Sequence, residues 1–197
     1  MQYKTIDEQV EQAVTILKMN KDLICILDYL YELKMPNFYI AAGSIYQTIW
    51  NYYDNKPLNH GIEDIDIIYY DKDNLSKEKE DELENKIKDH LKILGLNYKI
   101  DIHNEARMHL WKKENENQFI DHYENSEDTI DQLLATIQAI GITKVNNHIK
   151  IYAPYGLSDI FGRTIRPIKH KNNSKNLYAK KSVSWSKRFD DLNILEW

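Results

Sequence analysis

Apolar residues recur at helical spacing near the start of the chain and then change to the alternation that is typical of strands. Two amphipathic helices are therefore predicted before a first strand. Their apolar positions are Ile6, Val10, Ala13, Val14 and Leu17, and then Leu23, Ile26, Leu27, Leu30 and Tyr31. Met35 and Pro36 close the second helix, because a proline cannot continue the hydrogen-bond pattern of a helix.

An apolar run from Asn37 to Ala42 ends in two small residues, Gly43 and Ser44, and helical spacing resumes immediately afterwards. The order strand, Gly-Ser, helix places backbone N–H groups at a helix N-terminus. There the helix dipole favours an anion, and the serine hydroxyl adds a donor. A Gly-Ser pair alone also marks ordinary turns. In this position, Gly43 and Ser44 are candidate phosphate ligands.

Two aspartates, Asp64 and Asp66, lie in the next apolar segment, about twenty residues after the Gly-Ser pair. Side chains alternate along a strand, so carboxylates at i and i+2 project from the same face and can share a divalent cation. The alternative is an exposed strand face whose charges serve only solubility. The order and distance relative to the Gly-Ser pair favour metal chemistry.

A third carboxylate, Asp101, lies in the alternating segment 97–103, on one face with Lys99 and His103. If this strand lies beside the strand of Asp64 and Asp66, Asp101 completes a cluster of three carboxylates. Like charges at that distance repel unless a cation neutralises them, so the cluster predicts a Mg²⁺ site. The alternative places Asp101 on the surface of an edge strand.

The remaining pattern predicts four further elements. They are a solvated helix within 71–92 that crosses over between the two carboxylate strands, a helix from Ser126 to Gly141, a strand over 148–153, and a helix over 181–189.

Taken in order, these motifs resemble the nucleotidyltransferase superfamily that includes DNA polymerase beta and the antibiotic nucleotidyltransferases. More closely, the chain resembles a small bacterial family of predicted nucleotidyltransferases. The motifs are Ala41-Ala-Gly-Ser-Ile45 leading to Trp50, Glu63-Asp-Ile-Asp66, Asn104-Glu-Ala-Arg-Met-His109, and Ala153-Pro-Tyr-Gly-Leu-Ser-Asp-Ile-Phe161 followed by Arg166-Pro167. The resemblance covers roughly residues 37 to 185, which is nearly the whole chain.

The resemblance implies an α/β fold with a nucleotidyltransferase-like mixed sheet flanked by helices. It also implies Mg²⁺ or Mn²⁺ as cofactor and transfer of a nucleoside monophosphate from an NTP, with release of pyrophosphate. Gly43 and Ser44 would hold the triphosphate, Asp64 and Asp66 the metals, and Asp101 would join them and activate an acceptor hydroxyl. The acceptor would be RNA or a small molecule.

One domain over 1–197 is expected, with N-terminal helices in 1–36, a catalytic core in 37–160 and a basic C-terminal segment in 161–197. Two other functions compete with catalysis by nucleotidyl transfer. A non-catalytic module on the same fold would bind a nucleotide or RNA. Such a module would lack metal ligands, whereas all three carboxylates are present here. A metal-dependent phosphodiesterase would need His-Asp ligand pairs, which are missing.

The charge is distributed unevenly along the chain. The formal net charge is −5, yet 160–189 holds no acidic residue and nine of the 26 Lys and Arg, which leaves 17 basic residues against 31 Asp and Glu elsewhere. Such a segment is typical of contact with a polyanion, here the triphosphate or an RNA backbone. The alternative is a solvated tail that pairs with the acidic remainder. The nine residues are Arg163, Arg166, Lys169, Lys171, Lys175, Lys180, Lys181, Lys187 and Arg188.

Four residues outside the carboxylate cluster are further candidates for nucleotide contact. The resemblance favours phosphate contact for Arg163 and Arg166. Arg107, just after the third carboxylate strand, is placed to reach a phosphate, and His109 to reach the base or the acceptor. The alternative for both Arg107 and His109 is pairing with the acidic surface.

Several classes are disfavoured by composition. Cys25 is the single cysteine, so an intramolecular disulfide or a cysteine-rich zinc site is excluded, and the seven histidines form no i, i+4 pair typical of zinc hydrolases. No apolar stretch approaches the roughly 20 residues that span a bilayer, and 1–8 lacks a signal-peptide pattern. A cytoplasmic protein without a membrane partner is expected.

Overall fold

The computed structural model describes residues 5–116 and 120–197. Its helices are Ile6–Met19 (α1), Lys21–Glu32 (α2), Gly43–Tyr53 (α3), Lys77–Ile93 (α4), Met108–Glu116 (α5), Glu127–Asp131 (α6), Ser158–Phe161 (α7) and Lys175–Arg188 (α8). Its strands are Tyr39–Ala41 (β1), Asp64–Tyr69 (β2), Lys99–Asn104 (β3), Gly141–Val145 (β4), His148–Tyr152 (β5), Thr164–Ile165 (β6) and Asn193–Ile194 (β7). A single 3₁₀ turn, Glu105–Arg107, joins β3 to α5.

Five strands form one mixed sheet in the order β3-β2-β1-β4-β5. β1 is antiparallel to both β2 and β4, whereas β2 and β3 are parallel. A parallel pair needs a long crossover connection, and α4 supplies it between the two carboxylate strands. The hairpin between β4 and β5 turns at Asn146 and Asn147, both with positive φ, as a tight two-residue turn requires. The predicted mixed α/β sheet flanked by helices is confirmed.

The two faces of this sheet are covered differently. Alternate residues such as Ile40, Ile67 and Ile102 belong to the main core, which the N-terminal helices α1 and α2 share. Tyr39 and Ile68 point the other way, into a smaller cluster. Residues opposite one another on paired strands point to the same side. Asp66, opposite Ala41 of the smaller cluster, therefore projects on the less covered face.

The two predicted N-terminal helices form, and a side-chain cap marks the start of each. Thr5 begins α1 with a reciprocal capping box that includes Glu8. Asn20 separates the helices and accepts a hydrogen bond from the Leu23 N–H, while its side-chain amide donates to Thr48 of α3 at 2.9 Å. In the described ranges, no helix combines the length and apolar character that a bilayer crossing demands.

The helix predicted from Ser126 to Gly141 is wrong beyond Asp131. After α6 the chain continues in turns whose backbone pairs with a distant segment: the Ile168 N–H donates to the Leu134 carbonyl at 3.0 Å and the Thr136 N–H to the Arg166 carbonyl at 2.9 Å. Apolar residues here are buried on several sides rather than on one helical face.

Gly141 was expected to terminate that helix, but it begins the unpredicted strand β4. A Cβ at Gly141 would lie 2.6 Å from Ile130 Cδ1 and 2.9 Å from Tyr39 Cδ1, so the residue must be glycine for the strands to approach.

The last predicted helix begins earlier than the periodicity indicates. α8 starts at Lys175 rather than Lys181, because Ser174 caps it by accepting a hydrogen bond from the Leu177 N–H at 3.2 Å. Only Tyr178 and Trp185 of α8 are buried. This narrow stripe leaves most of the basic helix in contact with solvent.

Candidate active site

The register of β2 and β3 brings two of the predicted carboxylates side by side. Asp66 is directly opposite Asp101, and Asp64 is opposite Lys99. On the other side of β2, Ala41 of β1 is opposite Asp66, only two residues before Gly43. The three aspartates and the Gly-Ser turn therefore meet at one end of the less covered face, as the sequence predicts.

The first turn of α3 directly adjoins Asp66. A Cβ built at Gly43 would lie 4.0 Å from Asp66 Oδ2 and 3.0 Å from Gln47 Nε2, so only glycine leaves this space open. No side chain caps the helix, and Ala42 before it has the positive φ of 52°. The buried Ser44 hydroxyl has no hydrogen-bond partner among the described residues. The helix N-terminus thus presents donors that a ligand can use.

The negative charges of the three carboxylates act on one another. Burial, followed by the charges of Asp64 and Asp101, raises the pKa of Asp66 from 3.8 to about 6. The positive charges of Lys181 and His103 offset part of this rise. A divalent cation beside Asp66 would relieve the same repulsion.

His103 is the immediate partner of Asp101. Its Nε2 lies 3.1 Å from Asp101 Oδ1, and this hydrogen bond lowers the pKa of Asp101 despite burial. Burial opposes a charge on His103, but the hydrogen bond to Asp101 and the surrounding carboxylates outweigh it and raise the pKa of the imidazole. The alternation of side chains along the strand predicts that His103 lies on the same face as Asp101. It did not predict the hydrogen bond between the two side chains.

The carboxylates at this site suit a Mg²⁺ ion that binds together with a nucleotide substrate. Mg²⁺ is usually bound by one or two carboxylates together with substrate phosphates and water, and Asp64 and Asp66 offer the carboxylates. Within 5–116 and 120–197, no group of three or more His, Cys, Asp or Glu side chains is arranged to hold a metal. The third expected ligand, Asp101, is engaged by His103 instead.

Helix α8 packs beside the site, which the sequence did not indicate. Trp185 Nε1 donates to the Tyr46 hydroxyl at 3.1 Å, and the Arg188 guanidinium donates to Gln47 Oε1 at 2.6 Å and to the Gly61 carbonyl. Gln47 and Arg188 therefore support the turn at Gly43. The sequence offers one indication of this packing. Lys181 and Arg188 are seven residues apart and therefore lie on one side of a helix.

Among the described residues, no contact brings Arg107 or His109 to the aspartates. Arg107 is buried and forms an ion pair with the buried Glu80, with 3.1 Å between Nη1 and Oε1. His109 stacks on His122 with 3.7 Å between ring centres, and burial, together with the charge of His122, lowers its pKa. Both side chains have partners away from the carboxylate cluster.

Arg163 and Arg166 also lie apart from the Gly-Ser turn. Arg163 forms an ion pair with Asp54 at the C-terminal end of α3, and its guanidinium lies 5.7 Å from the Trp50 ring centre. That end is about 15 Å along the helix from Gly43. Arg166 pairs with Asp159 at 3.0 Å. These contacts match the alternative in which basic residues pair with the acidic remainder.

A buried carboxyl group, Glu105, continues the row of polar side chains from β3. Burial raises the pKa of Glu105 from 4.5 to about 7, against a hydrogen bond from the Thr129 hydroxyl and the charge of His103. The folded state therefore binds this proton more tightly than the unfolded state. Its contribution to stability is fully present below about pH 4.5 and is lost as the pH rises to about 7.

We expect Glu105→Gln to be more stable than the native chain at pH 8, by about 3 kcal/mol at most, and to lose that advantage near pH 4.5. Urea unfolding at both pH values measures the difference, with the exposed Glu32→Gln as a matched control. An equal effect of Glu105→Gln at the two pH values would contradict the burial of a charge at this position.

Comparisons with known proteins identify the family and the fold. A family model described as Nucleotidyltransferase matches residues 28–194. A solved structure, described as an NMR structure that reveals a CCA-adding enzyme head domain, has the same fold. Its TM-score is 0.78 at 24% sequence identity, over 95% of this chain and 96% of the other. Among curated proteins, none has a sequence that matches. Since the family model spans most of the chain, this protein belongs to the nucleotidyltransferase family and is a transferase.

Proposed function

We propose that the chain transfers a nucleoside monophosphate from an NTP to an acceptor hydroxyl, with Mg²⁺ or Mn²⁺ held at Asp64 and Asp66. The supporting observation is the position of Asp66 between the charges of Asp64 and Asp101, beside the uncapped first turn of α3. Carboxylates on one side and a helix N-terminus without a side-chain cap on the other are what a triphosphate and its cation require.

The first turn of α3 binds the phosphates. Gly43 lets the backbone approach them closely because it has no Cβ, and the unpartnered Ser44 hydroxyl becomes a donor to a phosphate oxygen. Gln47 is held by Arg188 behind this turn, so the loop keeps its shape when the ligand arrives. When bound, the metal ion supplies the positive charge that offsets the charge on the leaving pyrophosphate.

Asp101 engages the acceptor. The hydrogen bond from His103 keeps its carboxylate ionised, so the carboxylate can accept the proton of a hydroxyl group. The acceptor oxygen bonds to the α-phosphorus, the bond between the α- and β-phosphates breaks, and pyrophosphate leaves. The hydroxyl proton passes to Asp101. No covalent intermediate with the protein is needed in this sequence.

Incubation of the protein with each α-labelled NTP, Mg²⁺ or Mn²⁺, and separate RNA, metabolite and protein fractions tests this function. Label should enter one fraction with equimolar release of pyrophosphate, and omission of the metal should stop both. Binding of Mg-NTP without any transfer in all fractions would favour the non-catalytic module. Transfer that is independent of added metal and resistant to a chelator would contradict the metal assignment.

Ser44→Ala is expected to weaken Mg-NTP binding by about 1 to 2 kcal/mol, the usual scale for a hydrogen bond to a charged group. Stability should not fall, because the buried hydroxyl has no partner in the described structure without ligand. Calorimetric titration and thermal unfolding measure the two effects, with the exposed Ser186→Ala as control. Unchanged affinity in Ser44→Ala would mean that the phosphates do not bind at the first turn of α3.

A further inference from the structure

The basic segment divides into a paired half and an unpaired half. Three of its residues, Arg163, Arg166 and Lys171, form ion pairs with aspartates, and Arg188 binds Gln47 and a carbonyl group. Among the described residues, the other five form no ion pair within 4.0 Å. They are Lys169, Lys175, Lys180, Lys181 and Lys187, and four of these five lie on α8. Pairing with the acidic remainder therefore explains only three residues of the segment, Arg163, Arg166 and Lys171, all of which lie before α8.

Four of the five cations of α8 form two rows along the helix. Lys181 and Arg188 are seven residues apart, as are Lys180 and Lys187, and seven residues are about two helical turns. We call Lys181 and Arg188 the inner row and Lys180 and Lys187 the outer row. All four side chains belong to exposed residues of a helix about 21 Å long.

The inner row is part of the candidate active site. Arg188 binds Gln47 beside Gly43, and Lys181 lies about two helical turns before Arg188 on the same side of α8. The outer row is rotated by about 100° around the helix, away from the buried stripe and towards solvent. A triphosphate at Asp66 therefore uses the inner row and leaves the outer row without a ligand.

The rest of the molecule repels a polyanion. Outside 160–189 the chain has 31 acidic and 17 basic residues, whereas α8 has no acidic residue at all. A negatively charged strand that approaches the active site is thus attracted along α8 and repelled elsewhere. A small uncharged acceptor would gain nothing from the outer row.

We propose that the outer row, Lys180 and Lys187, binds the phosphate backbone of a single-stranded nucleic acid whose terminal hydroxyl is the acceptor. This assignment rests on the nucleotidyl transfer proposed above and names its acceptor class. The terminal hydroxyl oxygen bonds to the α-phosphorus of the NTP, pyrophosphate leaves, and the hydroxyl proton passes to Asp101. The strand grows by one nucleotide, and its preceding phosphates lie along α8.

Fluorescence anisotropy with a labelled 12-nucleotide strand, prepared as RNA and as DNA, tests the surface. Lys180→Gln/Lys187→Gln should lower affinity for the preferred strand by about 10- to 30-fold at 0.1 M salt. It should also reduce the slope of log K against log salt by about 1.4, near 0.7 for each lost phosphate contact. Lys18→Gln/Lys92→Gln is the matched control, since it removes the same charge from exposed positions on α1 and α4.

The control should bind the strand within about twofold of the native chain on this electrostatic scale. Equal losses in the two double variants would overturn the proposal, because the effect would then come from net charge alone. The strand, RNA or DNA, that binds more tightly and is extended by labelled NTP identifies the acceptor.

Calorimetric titration with Mg-ATP separates this proposal from the proposed function. The outer-row variant should lose much more affinity for the strand than for Mg-ATP. Mg-ATP binding by the native chain without strand binding would overturn the acceptor assignment and leave nucleotidyl transfer standing. Strand binding that depends on the outer row, without Mg-NTP binding or pyrophosphate release, would overturn the acceptor role and the proposed function together.

Discussion

Asp66→Asn is expected to lower the rate of nucleotidyl transfer by about 1,000-fold or more, which corresponds to about 4 kcal/mol of transition-state stabilisation. The amide lacks the charge that holds a divalent cation between the carboxylates and the triphosphate. Pyrophosphate release at saturating Mg-NTP measures the effect. Asp64→Asn should behave alike, because both carboxylates project from one face of β2.

Stability provides the control for this loss of activity. The raised pKa of Asp66 means that its charge destabilises the folded protein as the pH rises from about 4 to about 6. Asp66→Asn should therefore unfold at higher urea concentration than the native chain at pH 7.5 without metal. An inactive and destabilised variant would point to misfolding, and an active one would remove Asp66 from the mechanism.

Arg107→Ala should destabilise the protein by about 3 to 5 kcal/mol, since it leaves the Glu80 carboxylate buried without its partner. Glu80 also accepts a hydrogen bond from the Asn104 N–H at 2.7 Å. Loss of the ion pair should therefore also destabilise the end of β3. Urea unfolding measures the change. Arg107→Met/Glu80→Gln should recover most of it, because no uncompensated charge remains and the amide oxygen can still accept that hydrogen bond.

The same variants decide between two interpretations of Arg107. If Arg107 contacts a phosphate, as the sequence motif suggests, Arg107→Ala loses Mg-NTP affinity while stability changes little. If the ion pair with Glu80 defines its role, the folded fraction of Arg107→Ala binds Mg-NTP with nearly native affinity. Calorimetry under conditions where the variant is folded distinguishes these results.

The positions of the three carboxylates were predictable because short-range rules determine most of them. Alternation along a strand sets the faces of Asp64, Asp66 and Asp101, and the helical connection between the two strands is long enough for a parallel crossover. A parallel crossover makes the two strands candidates for direct neighbours, and the register then brings Asp66 and Asp101 together. The turn at Gly43 follows from an apolar strand that ends in small residues.

Long-range contacts explain what the sequence could not predict. The apolar spacing in 126–141 fits a helix, but the backbone of Leu134 and Thr136 finds partners about thirty residues later, which no local pattern encodes. Likewise, a basic residue does not reveal which acid it meets. Arg163 pairs with Asp54 across 109 residues, and Arg188 binds Gln47 across 141.

The short parallel pair of β6 and β7 determines how α8 meets its ligands. These strands flank α8 in the chain and pair with each other, and the Tyr178 hydroxyl donates to the Ile165 carbonyl at 2.9 Å and lies 2.8 Å from the Leu195 carbonyl. The helix is thus fixed at both ends before any ligand arrives. Binding along α8 therefore adds no entropic cost for ordering the backbone that carries the lysine side chains.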